Sequence, residues 1–133
     1  MKTLLTLLLL HIFSDFTLQG LFGNLKSKWW WMDECNNYKG IASNKVMYAK
    51  YKYDHIPGLL LHSLYWSLIT FLPLWWPDTT SDLARVLIVG FNTAVHYGVD
   101  DWKVNRFRLN LCQDQAIHAV QILLTYGIWM AFS

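Results

Sequence analysis

Three pairs of histidine and aspartate at helical spacing carry the chemistry this sequence offers. His11 and Asp15, His96 and Asp100, and Asp114 and His118 are each four residues apart. That spacing places both members of a pair on one face of an α-helix. His62 adds a further imidazole, with His55 seven residues before it. Neutral imidazole and carboxylate are ligands for zinc, manganese or iron. An Asp one turn from a His can share its ion or hold the ring in the ligating tautomer. The candidate metal set is therefore His11, Asp15, His62, His96, Asp100 and His118. It suffices for one or two divalent ions, zinc first, with manganese or iron as alternatives. Asp114 is a candidate ligand or general base. Lys103, one turn beyond Asp100, is placed to steady a developing negative charge. The plainer reading of the same pairs is a set of hydrogen bonds tying helices together without metal.

Four apolar segments must position these residues: 3–23, 56–76, 82–100 and 113–132. Each has roughly the 20 residues that cross a bilayer core of about 30 Å. The chain is 54% hydrophobic and 15% charged, against about 25% charged in a soluble domain. Eight Trp in a chain of this size suit two membrane–water interfaces. The sequence predicts an all-α integral membrane protein: one domain over 1–133, four transmembrane helices and a long connection between the first two. A net charge of +2 is too small to point to nucleic acid.

Lys and Arg set the orientation. The connection after the first segment holds Lys26, Lys28, Lys39, Lys45, Lys50 and Lys52, and that after the third holds Lys103, Arg106 and Arg108. Only Lys2 and Arg85 lie elsewhere, and the positive-inside rule puts both connections in the cytoplasm with both termini outside. The first segment also imitates a secretory signal peptide, but His11 and Asp15 interrupt it and no small-residue cleavage site follows. The long connection, 24–55, mixes Trp29, Trp30 and Trp31 with tyrosines and lysines, which predicts a segment lying among the headgroups. It reads first as a surface anchor and second as a lid over a site. Cys35 and Cys112 fall in polar, cytoplasmic stretches without metal-site spacing and are expected to be unpaired bystanders.

The polar residues also match in depth. Asp15, His62, His96 and His118 fall roughly 6–12 Å from the inner boundary at 1.5 Å per residue. Four polar stripes, including Gln19, Asn92, Gln115 and Gln121, can meet only inside the bundle. Ionisable groups in membrane helices mark function by default.

The stretches H11-I-F-S-D15-F16-T-L18-Q19, His62-Ser63, H96-Y-G-V-D100-D-W-K103 and D114-Q115-A-I-H118 resemble domain-of-unknown-function family 3307. These are small bacterial and phage membrane proteins. The resemblance implies a multi-pass protein of the bacterial inner membrane. It also implies a distant similarity to membrane-bound metal-dependent hydrolases, which place His and Asp on membrane helices. The expected function is hydrolysis of a phosphoester or lipid-linked substrate at the cytoplasmic face, with membrane lipid as partner and a homo-oligomer open. A metal or proton carrier is the alternative, since His/Asp chains also serve as relays. Its outer half lacks the polar residues a conduit needs, apart from Thr125. A haem-binding bundle is a third alternative, disfavoured by Asp beside three of the four histidines.

Overall fold

Leucine-rich stretches interrupted by polar residues at helical period fold here into helices alone. The computed structural model describes residues 2–17, 20–37, 40, 44–75 and 80–132, with no strand among them. In chain order the α-helices are α1 (Lys2–Ile12), α2 (Gly20–Leu25), α3 (Lys28–Asn36), α4 (Asn44–Tyr51), α5 (His55–Phe71), α6 (Asp82–Asp100) and α7 (Leu111–Phe132). Two π-helical turns, Phe13–Thr17 and Asp101–Asn105, follow α1 and α6, and a 3₁₀ turn, Leu72–Leu74, follows α5. The four long helices form a ring in which α5 touches α1 and α6, and α7 touches α6 and α1.

The expected segments survive with one correction. α6 coincides with the predicted 82–100, started by the Ser81 hydroxyl, which accepts from the Ala84 N–H at 3.3 Å. α7 begins at Leu111, two residues before the expected 113. α5 ends at Phe71, and Pro73, which lacks an N–H, lies in the 3₁₀ turn that follows. Trp76 lies outside the described residues. The first segment is not the unbroken helix expected over 3–23. It leaves α geometry after Ile12, and helix resumes at Gly20, whose φ of +40° is left-handed. The Ser14 hydroxyl donates to the His11 carbonyl at 3.1 Å inside this break, and the π turn buries Ser14 and Asp15. Gln19 lies outside the described residues.

Burial is inverted relative to a soluble domain. Among the described residues eight hydrophobic side chains are buried, against seventeen polar or charged ones; a water-soluble core shows the opposite preference. The outward faces are apolar: Leu5 and Leu9 on α1, Leu60 and Leu61 on α5, Leu87 and Phe91 on α6, Leu124 and Ile128 on α7 are all exposed. Among the described residues His55–Leu74 is the one helix long and apolar enough to cross a membrane by length and composition. α6 and α7 have 19 and 22 residues, but their inward His, Asp, Asn and Gln lower the mean hydropathy. One apolar cluster lies within the ring, made of Leu7, Trp66, Phe71, Leu74 and Ile122.

Candidate metal centre

The ring of helices brings His11 and Asp15 from the first segment together with His62 of α5, His96 and Asp100 of α6, and Asp114 and His118 of α7. All seven are at most 3% exposed. Each helix presents its pair at the turn where it faces its neighbours, so the spacing of four becomes a shared object.

Asp100 is the hub. Its Oδ2 lies 3.2 Å from His62 Nε2 and 3.6 Å from His96 Nε2. Its Oδ1 lies 3.6 Å from His118 Nε2. The two rings His96 and His118 pack with centroids 4.2 Å apart, and Trp66 stacks on His96 at 4.1 Å. Into the same point comes a residue the sequence places in the connection: Lys26. Its Nζ donates to Asp100 Oδ2 at 2.6 Å and lies 3.1 Å from His62 Nε2. Lys26 is 4% exposed, so it is not one of the solvated cations that set topology.

A second layer holds these groups in place. Lys103 donates to Asp114 Oδ2, and Asp114 Oδ1 lies 3.4 Å from His118 Nε2. The Gln115 amide N–H₂ donates to Asp15 Oδ2 at 2.7 Å and to Asp114 Oδ2 at 3.0 Å. The Trp66 indole donates to His11 Nδ1 at 3.0 Å, which leaves the ring proton on Nε2, facing Gln115 Oε1 at 3.0 Å. Both nitrogens of His11 are thus engaged, and in this arrangement it orients Gln115 rather than offering a lone pair to an ion. His55 stays apart at the start of α5, its Nδ1 bonded to the Lys52 carbonyl at 3.1 Å. Asn92 and Gln121 form their own pair at 2.8 Å, joined by Thr125, with Gln121 Oε1 3.4 Å from His118 Nδ1.

The donor set fits a divalent ion. Asp15, His62 and His96 offer ligand atoms all within 4.8 Å of one another, and so do His96, Asp100 and His118. Tetrahedral ligands with bonds of about 2.0–2.1 Å stand roughly 3.3 Å apart. The 3.2 Å between His62 Nε2 and His96 Nε2, and the 3.6 Å between Asp100 Oδ1 and His118 Nε2, are close to that. Asp100 Oδ1 and Asp114 Oδ1 are buried and lie 3.6 Å and 3.4 Å from the buried His118 Nε2. Contacts of that length are long for hydrogen bonds and near the spacing of ligands on one ion. Compared with family models, curated proteins and solved structures, the chain matches none.

Two participants were not singled out from sequence: Lys26 and Trp66. For Lys26 a signal existed in the charge balance. Three buried carboxylates need compensation, and Lys103 alone lies near them in the helical segments. Nothing in the local sequence distinguishes Lys26 from Lys28.

Proposed function

We propose that the protein is a membrane-embedded, metal-dependent hydrolase acting on a phosphoester or lipid-linked substrate at the cytoplasmic face. One observation carries the reading: two overlapping buried His/Asp groups with ligand-compatible spacing. His96, Asp100 and His118 would hold the ion. A bound divalent ion lowers the pKa of water and polarises the scissile oxygen. Asp114 Oδ1, 3.4 Å from His118 Nε2, is the group placed to take a proton. Lys103, 23% exposed in its side chain, stands at the wet edge of the cluster, where a phosphoryl oxygen would meet it. The resemblance to family 3307 supports the metal reading and names no substrate. The apolar cluster inside the ring favours a closed pocket over a conduit. The close packing of His96 on His118 leaves no gap for a porphyrin between them.

The membrane part of the proposal rests on the inverted burial. Apolar outer faces on four helices around a polar interior suit lipid rather than water. With both connections cytoplasmic, Cys112, exposed at the start of α7, faces the cytoplasm. In a Cys35→Ser background a membrane-impermeant maleimide is expected to label Cys112 only after cells are lysed. Labelling from outside intact cells would overturn the orientation.

A second reading is favoured by Lys26 and Lys103. These two cations partly balance the three carboxylates, so the cluster can stand as an ion-pair network without metal. Elemental analysis of protein purified without chelator separates the two. The hydrolase reading expects stoichiometric zinc, manganese or iron. It also expects binding to weaken on acidification, because imidazole must be neutral to ligate. Protein that stays metal-free after incubation with all three metals leaves the network reading alone.

A further inference from the structure

Lys26 reaches the cluster through a built arrangement. The Lys26 carbonyl accepts from Asn105 Nδ2 at 3.2 Å, and Asn105 Oδ1 accepts from the Lys28 N–H at 2.8 Å. One residue earlier, the Leu25 carbonyl accepts from the Trp31 indole at 2.9 Å. Gly58 of α5 lies beneath the same carbonyl, and any Cβ there would overlap it. The backbone of Leu25–Lys28 is therefore held on three sides, and the Lys26 side chain is directed inward, not outward to solvent.

Its ammonium stands beside a ligand atom. Lys26 Nζ at 3.1 Å and Asp100 Oδ2 at 3.2 Å both approach His62 Nε2. That nitrogen is also the one that would ligate an ion shared with Asp15 and His96, since His96 Nε2 is 3.2 Å and Asp15 Oδ1 3.8 Å from it. With a ligand bond of about 2.1 Å, such an ion would lie no more than about 5.2 Å from Lys26 Nζ. Two cations so close in a buried site repel strongly. On the other side of Asp100, Oδ1 lies 3.6 Å from His118 Nε2, and the Lys26 ammonium is bonded to Oδ2 rather than to Oδ1.

We infer that Lys26 is a resident cation that takes the place of a second metal ion, so that the centre holds one divalent ion, on the Asp100/His118 side. The inference rests on the metal reading above and sets its stoichiometry.

Zinc titration of the full chain in mild detergent, followed by calorimetry and elemental analysis, tests it. Wild type and Lys26→Arg are expected to bind one zinc per chain. Lys26→Met is expected to bind two, and Asp15→Asn in that background to return the count to one. If Lys26→Met fails to fold, Lys26→Gln, neutral and of similar length, carries the same comparison. One zinc in wild type and in the neutral variant would overturn the inference alone, as would two in wild type. No zinc in any of them would overturn the metal reading and this inference with it.

Discussion

Asp100→Asn is expected to cause the largest loss of any single substitution in the ring. The change keeps the shape and removes the charge. Lys26 Nζ, 2.6 Å from Oδ2, is then left buried without its counterion, beside His62, His96 and His118. Breaking a buried ion pair from one side costs about 3–5 kcal/mol, because the remaining charge is uncompensated. The same substitution removes a ligand, so bound metal should fall below stoichiometric. Thermal unfolding in detergent and elemental analysis read the two effects separately. A second variant identifies the cause. Asp100→Asn combined with Lys26→Met removes both charges; it should recover most of the stability and bind only the ion that the loss of Lys26 opens to Asp15, His62 and His96. The coupling between the two single changes should be on the order of 1–3 kcal/mol, as for residues in direct contact. Additive effects of the two would show that Lys26 and Asp100 do not interact in the folded protein. Ile122→Val, a change in the apolar cluster, should leave bound metal as in wild type.

The positions of these groups were legible in different degrees for physical reasons. His96 and Asp100 could be placed together because α6 is an uninterrupted helix from a Ser81 cap, and its period fixes which residues share a face. The same holds for Asp114 and His118 in α7. His11 and Asp15 share a period in sequence, but the π turn after Ile12 separates their roles. His11 turns to Trp66 and Gln115, whereas Asp15 approaches His62. A pattern of four cannot reveal an insertion in the helix that carries it. Lys26 was read as a loop cation because its neighbours in sequence are polar or aromatic. What places it inside is tertiary: Asn105 from beyond α6 and a glycine on α5.

The connection is accordingly more than an anchor. The Trp29 and Phe107 rings pack tilted at 5.4 Å, and Trp31 stacks with Tyr51 at 6.0 Å, so aromatic pairs tie α3 both to the stretch after the second π turn and to α4. The aromatic residues expected to mark an interface also fasten the backbone that carries Lys26.

Two glycine-to-alanine changes in the long helices are expected to act with opposite signs. Gly90 of α6 has nothing within 4 Å of the place a Cβ would take. Alanine there gains helix propensity and should stabilise by about 0.5–1 kcal/mol. Gly58 of α5 has the same propensity to gain, yet its Cβ would overlap the Leu25 carbonyl oxygen and lie 2.7 Å from the carbonyl carbon. Those are backbone atoms, held by the Trp31 indole and followed by the Asn105 clamp, so they cannot move aside as a flexible side chain would. Overpacking of this kind costs about 1–3 kcal/mol, which exceeds the propensity gain. Gly58→Ala should therefore lower the unfolding temperature while Gly90→Ala raises it. The strain falls on the one segment that carries Lys26. Displacing Leu25 should draw the ammonium away from Asp100 and His62, so Gly58→Ala should move zinc stoichiometry in the direction of Lys26→Met. Gly90→Ala should leave it at the wild-type value. Equal stabilisation by both alanines would mean that Leu25 does not rest on α5, and that Lys26 is not held in the cluster by that contact.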